Sequence, residues 1–256
     1  MSNKRLQVLI LLALLSFSTF TCAREVKMAT TNWPPFYGES LVNGGPLTEI
    51  VSEAFRRMGH TSSVEFLPWS RARRKVLIGE SEIILGAYFS EQRAKKHHFS
   101  DAVMMVDVGL VARKELGITS FKNLRELTPH TIGVSKGWIN NAEFDAANFL
   151  SKDIATNQVL NIRKLAHNRV DMISVSFEVF KYELAQNNLT GTLPKYVFLE
   201  PLLSRASLHL MMRKGSLDHV KIINQFNSTL KEMKKDGTYQ LILKKHKIDI
   251  HSTGCP

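Results

Sequence analysis

Apolar positions along this chain alternate between two periods. Residues 26–29 form a short apolar stretch of strand character, and the loop TTNWPPFYG, pinned by Pro34 and Pro35, follows it. Behind Pro46, the residues Leu47, Ile50, Val51, Ala54, Phe55 and Met58 recur at helical spacing until Gly59. That pattern predicts an amphipathic helix laid on a sheet. Residues 64–67 read as a strand, Ser70 as the N-cap of a helix over 71–78 closed by Gly79, and residues 83–87 as the next strand.

The stretch SEQRAKKHHFSDAV, residues 90–103, then reads as a short basic helix capped by Ser90 that breaks into Phe-Ser-Asp and an apolar strand. Beyond Arg113 the alternation restarts. Helices are predicted over 121–127, 141–150, 157–167 and 177–186, with strands over 131–134 and 170–175 and a left-handed turn at Asn168. A strand over 207–213 and a long helix over 217–235, ended by Asp236-Gly237, precede a last helix through Lys245. Strand-helix alternation of this kind predicts a mostly parallel α/β sheet, whose ligand sites lie at the carboxyl ends of its strands. Arg93 falls at such an end, in the first turn of its helix. It reads either as an anion holder beside free backbone N–H groups or as part of a solvated turn.

The first residues change the picture of where the chain works. Lys4 and Arg5, an apolar run over residues 6–15 and the small residues ending in Thr21-Cys22-Ala23 form a secretory leader, with cleavage expected after Ala23. Lipidation at Cys22 is the alternative. No later apolar segment is long enough to cross a bilayer, so a soluble, periplasmic chain is expected. Losing the leader leaves Cys255 as the one cysteine, so no internal disulfide forms and the fold rests on its core.

The formal net charge of +11 suits a nucleic acid, an anionic surface or a small acidic ligand. The basic residues are scattered, with no recognition helix or zinc spacing, which argues against nucleic acid. Adjacent His97 and His98 do not face each other on a helix, so no metal is expected. No G-x-S-x-G occurs, and no cofactor signature is present.

In order, VKMATTNWPPF, GGPLTEIVSEAFRRMG, FLPWSRA, FSEQRAKKHHFSDAV, TIGVSKGW, NRVDMI and KEMKKDGTYQLILKKH span nearly all of the chain after the leader. This sequence of motifs resembles the family 3 extracellular solute-binding proteins of bacterial amino-acid ABC importers, in a branch marked by PWSRA. The resemblance implies a type II periplasmic-binding fold: two α/β lobes, two hinge strands near residues 108–113 and 203–210, and a cleft that closes on a small ligand. It places the leader at 1–23, the first lobe at 24–110 and 206–256, and the second lobe at 111–205. A monomer serving an ABC permease is expected, with a sensor partner or an exported dehydratase-like enzyme as alternatives; for the enzyme, Glu178 or Glu143 would supply the acid.

The same resemblance implies roles for particular residues. Ser90-Glu91-Gln92-Arg93 matches the family's Thr-x-x-Arg, whose arginine holds the ligand carboxylate, and a planar fork of donors suits that task as lysine does not. Trp33 matches an aromatic that stacks on the ligand, and Gly86, Ala87 and Tyr88 match positions that meet it. Lys136, Gly137 and Trp138 match the second lobe's carboxylate-binding loop, and Trp69 and Arg71 come from PWSRA. Two departures stand out. The carboxylates that pair with a ligand ammonium are replaced by Thr30 and by Ser176, five residues after Asp171. Ser176 thus joins the expected ligand-binding set without the charge the family keeps there.

Overall fold

The computed structural model describes residues 24–187, 190–215 and 217–248. The leader, Cys22 and Cys255 lie outside the described residues. Strand β1 (Glu25–Thr30) leads through the proline loop into helix α1 (Pro46–Arg57), with Pro46 in its first turn. Leu47, Ile50, Val51 and Phe55 of α1 are buried. Each contributes about 1.5–3 kcal/mol of transfer free energy relative to exposure, which is why this helix docks on the sheet. Strand β2 (Thr61–Phe66) follows, then helix α2 (Trp69–Ile78), which ends at left-handed Gly79 as expected. Ser70 does not cap it. The extended residue before the helix is Pro68, and Ser70 already lies inside the first turn.

The fully buried strand β3 (Ile83–Tyr88) runs into α3 (Glu91–Ala94), which is a single turn. The basic residues after it form β4 (His97–Phe99), because residues 97–99 pair with a strand from the far end of the chain. Long strand β5 (Met104–Arg113) carries the chain onward to β6 (Thr131–Ser135), α4 (Ala142–Ala146), β7 (Ser151–Ala155), α5 (Gln158–Ala166), β8 (Met172–Ser176) and α6 (Phe177–Gln186). Strands β9 (Tyr196–Phe198) and β10 (Ser204–Arg213) and helices α7 (Leu217–Lys235) and α8 (Thr238–Lys245) complete the order.

Two predicted helices shrink. Over 121–127 only a 3-10 turn at Leu124–Leu127 forms, since the Phe121 N–H donates to the Glu200 carbonyl at 2.9 Å and holds the chain extended. Asn123 then caps the turn by accepting from the Arg125 N–H. Over 141–150 the helix stops at Ala146, and residues 151–155 pair in parallel with β6.

The strands run in the order β2-β1-β3-β10-β5-β8-β6-β7, with β4 on β10 and β9 on β5. Parallel pairing is confined to β1 with β2 and β3 and to β6 with β7 and β8; the middle of the sheet is antiparallel. The expectation of a mostly parallel sheet therefore holds for the outer strands of each lobe and fails around the two long strands β5 and β10, whose pairings are all antiparallel. Strand β5 changes partner along its length: residues 104–108 pair with β10, and residues 108–112 with β8. These paired crossovers join the two α/β lobes of a type II periplasmic-binding fold. At the crossover, Gly109 packs under Phe177; a Cβ there would lie 2.5 Å from that ring, so only glycine lets α6 sit so close to the hinge.

Candidate ligand-binding cleft

Strand β1 ends at buried Thr30, and the loop beyond it folds back on itself. The Trp33 N–H donates to the Tyr37 carbonyl at 2.7 Å, and the Tyr37 N–H to the Trp33 carbonyl at 3.3 Å. This bridge fixes both rings. Tyr37 lies under Gly86 of β3 and donates its hydroxyl to the Gly86 carbonyl at 3.2 Å. Gly86 has φ +76°, and a Cβ on it would stand 2.5 Å from the Tyr37 ring, so glycine is required both by the backbone and by the contact.

From β3 the chain passes Tyr88 and Ser90 into the turn that carries Arg93. The Ser90 hydroxyl accepts from the Arg93 N–H at 3.3 Å, as the cap reading requires. Since α3 is one turn long and its cap takes that amide, anion holding rests on the guanidinium rather than on a helix terminus. Arg93 Nη1 donates to the Tyr88 carbonyl at 3.0 Å, and the guanidinium carbon lies 5.6 Å from the Trp69 ring centre. Burial, and then the like charge of Arg73, pull the Arg93 pKa below its ordinary value. It stays charged at any physiological pH. Burial also raises the Tyr88 phenol well above its ordinary value, so it remains a neutral hydroxyl; that hydroxyl is buried and has no hydrogen-bond partner.

The opposite wall comes from the second lobe. After β6, the Lys136 N–H donates to the Ala155 carbonyl at 2.8 Å and the Trp138 N–H to the Ser135 carbonyl at 3.2 Å, with Gly137 at φ +75° between them. Asn157 caps α5 and thereby sets Gln158, whose Oε1 accepts from Trp33 Nε1 at 2.9 Å across the lobes. Ring centres of Trp33 and Trp138 lie 5.1 Å apart, and those of Tyr88 and Trp138 6.1 Å apart. Between the walls is a cavity of about 20 Å³ lined by Tyr37, Trp69, Gly86, Tyr88, Arg93, Trp138 and their neighbours Thr31, Gly137 and Ile139. That is room for about one water. A groove of about 450 Å³ shares Thr31, Trp69 and Trp138 with it and runs outward past Trp33, Lys136, Gln158 and Glu183.

Of the residues singled out in the sequence, Trp69, Gly86, Tyr88, Arg93, Gly137 and Trp138 thus come together around one cavity, while Trp33 and Lys136 line the groove. Three others do not face either space. Arg71 is exposed, because Ala72 and Val76 take the inward face of α2. Ala87 points to the other side of β3, where it packs with Ala72, Val76 and Met211, as strand alternation dictates. Ser176 is fully buried and donates to Glu178 Oε2 at 2.8 Å. Thr30 is spent in the same way, its hydroxyl donating to the Leu85 carbonyl at 2.8 Å. Glu178 itself lines a different groove beside Lys181 and Tyr182. Tyr37 and Gln158 are the contributions that sequence reasoning missed; neither carries a local signal, since each acts through a partner distant in the chain.

The fold is similar to that of an arginine transport-system periplasmic binding protein from Legionella pneumophila, at TM-score 0.73 and 21% identity over 88% of this chain and 100% of that one. It is also similar to an ABC uptake transporter substrate-binding protein from Streptococcus pneumoniae with bound histidine, at TM-score 0.73 and 20% identity over 86% and 91% of the two chains. A histidine kinase sensor domain with similarity to periplasmic binding proteins aligns at TM-score 0.72 and 20% identity over 87% and 96%. Identities this low carry the fold alone. No curated protein matches the sequence. The sequence profile that does match covers residues 26–248, from the first strand to the end of the described chain, and by it the chain belongs to the bacterial extracellular solute-binding proteins, family 3.

Proposed function

We propose that this protein captures a small carboxylate-bearing solute in the cleft between its lobes by hinge closure and delivers it to an ABC importer from the periplasm, as a monomer exported through residues 1–23. The observation that carries the reading is Arg93. Its guanidinium lies in the wall of a largely aromatic cavity with one N–H engaged by the Tyr88 carbonyl, which leaves a fork of donors for an anion. The pivot of closure falls where β5 exchanges β10 for β8, near Val108, in keeping with lobes at 24–110 plus 206–256 and at 111–205.

The ligand lacks a free α-ammonium in this reading. Thr30 and Ser176 are bonded elsewhere, and no carboxylate is among the residues lining the cavity; the one carboxylate of the adjoining groove is Glu183, which does not line the cavity of Arg93. The relatives of this fold are named for arginine transport or contain histidine; the departure here is in the cation half of the ligand, not in the carboxylate. Turnover is not part of the proposal, since Glu143 is exposed and Glu178 faces the neighbouring groove. A second reading, service to a sensor rather than an importer, draws on the sensor domain of like fold.

A thermal-shift screen of amino acids, organic acids and acylated amino acids tests the proposal. A native-state binder at 100 times its dissociation constant gains about 2.7 kcal/mol of stability. A carboxylate that raises the melting temperature and changes the emission of Trp33, Trp69 and Trp138 is expected. A free amino acid as the best ligand overturns the ammonium argument.

A further inference from the structure

An ammonium group has three N–H donors, and each needs an acceptor when water is excluded. Two carbonyls at the carboxyl end of β3 stand at the cavity and each already accepts one hydrogen bond, Gly86 from the Tyr37 hydroxyl and Tyr88 from Arg93 Nη1, so each keeps at most one further lone pair; no carboxylate lines the cavity, and Glu183 lies out in the groove. What the two walls do offer a cation is ring faces. Trp33 stands at 81° to Tyr88, with centres 5.8 Å apart, and Trp138 at 83° to the same ring. Trp33 and Trp138 incline to each other at 48°. Both indoles, one from each lobe, thus stand nearly perpendicular to Tyr88, and the three rings form an aromatic cluster at the meeting of the lobes. A quaternary ammonium has no N–H to satisfy, spreads its charge over methyl groups, and is attracted by the negative faces of such rings.

We infer that the ligand is a betaine-type zwitterion, with its carboxylate on Arg93 and an N-methylated quaternary ammonium among Trp33, Tyr88 and Trp138. The inference rests on the proposed carboxylate capture and adds the cation to it. Arg93 and the aromatic cluster are joined through one residue, since the guanidinium is bonded to the carbonyl of Tyr88 itself. Carboxylate and quaternary centre in glycine betaine are separated by a single methylene, so both ends of the ligand stay close together. The ligand's own carboxylate screens its cation from Arg93. In the closed arrangement the rings touch one another, so hinge opening carries Trp138 away on its loop and closure interposes the methyl groups.

Calorimetric titration of the purified protein with four probes tests this: glycine betaine, glycine, choline, and 3,3-dimethylbutanoate, which copies the shape of glycine betaine without its positive charge. Glycine betaine is expected to bind about tenfold or more tightly than each of the others, on the scale of a desolvated cation–π contact. Trp138→Leu is expected to erase its advantage over 3,3-dimethylbutanoate, and Trp33→Leu serves as the second variant if the first misfolds. Equal binding of 3,3-dimethylbutanoate and glycine betaine overturns the inference and leaves the carboxylate proposal standing. Tighter binding of glycine overturns the inference together with the ammonium argument. Choline binding as tightly as glycine betaine, unaffected by Arg93→Ala, removes the carboxylate proposal as well. Silence of all four probes, in protein with a cooperative melting transition, overturns the inference.

Discussion

Replacing Arg93 by alanine separates the two roles an arginine in this cavity could have. In the bound state of the proposed function a carboxylate would be left among Trp69, Tyr88 and Trp138 without its guanidinium partner. Truncating one partner of such a buried charged pair costs about 2–5 kcal/mol, or about 30-fold to several thousand-fold in affinity. The unliganded fold responds differently. It loses the bond to the Tyr88 carbonyl and the contact with Trp69, together about 2–4 kcal/mol, but it also sheds a half-buried cation repelled by like-charged Arg73. These effects oppose each other, so the melting temperature of Arg93→Ala should stay within about 4 °C of the parent. Arg93→Lys keeps the charge but loses the planar fork, and its affinity should fall between the two. Titration calorimetry on a ligand from the screen, beside thermal melts of each variant, reads both quantities. An Arg93→Ala protein that melts normally and binds within about threefold of the parent would refute the carboxylate role and return Arg93 to a solvated turn.

Two further outcomes follow from contacts around the cleft. Gln158→Ala removes the hydrogen bond that Trp33 makes across the lobes, so affinity should fall by about 2- to 12-fold for a bond worth about 0.5–1.5 kcal/mol, with unchanged affinity as the refuting result. Burial raises the Glu178 carboxyl above its ordinary value, so its folded-state contribution is fully present below about pH 4.5 and is lost as the pH rises through the raised value. Glu178→Gln should therefore gain in melting temperature relative to the parent as the pH is taken from 4 to 7, by about 2–4 °C per kcal/mol, whereas a constant difference across that range would contradict the burial argument.

What the sequence made legible was whatever is decided within a few residues. Helices α1, α5 and α6 carry their own stripes and stops, and the pattern places α6 at its observed bounds, Phe177–Gln186. Ser90 as a cap and Asn168 in the left-handed region (φ 55°) are equally local facts. Residues 121–127 defeated the helical reading because a carbonyl far along the chain, that of Glu200, holds Phe121 extended. Strand β7 escaped because it is an edge strand in which Ala155 alone is buried, so no alternation marks it. The site divides on the same line. Motif positions brought Arg93, Tyr88 and Trp138 onto one cavity, whereas the Trp33–Gln158 bond spans 125 residues and no spacing rule reaches it. Arg71 and Ala87 show the converse error: a motif gives a neighbourhood, but helix and strand periodicity decide which members face inward.

In the proposed function the two lobes divide the labour of recognition unequally. Arg93, Gly86, Tyr37 and Tyr88 belong to the first lobe and are locked to one another by backbone and hydroxyl bonds, so their donors are already oriented before any ligand arrives. The second lobe brings Trp138 on a loop with a glycine in the left-handed region, and Gln158 at a helix start. Closure therefore gains one hydrogen bond and two ring pairs across the lobes, about 1.5–4.5 kcal/mol in all. A ligand that enters the cavity displaces ring-to-ring contact with Trp138 and must replace it with contact of its own. Ligands with little surface for those rings would shift the hinge weakly however well their carboxylate fits Arg93, because only differential affinity for the closed form moves the equilibrium. On the proposed reading, discrimination between solutes falls on Trp138 and its lobe, and anchoring on Arg93 and its own.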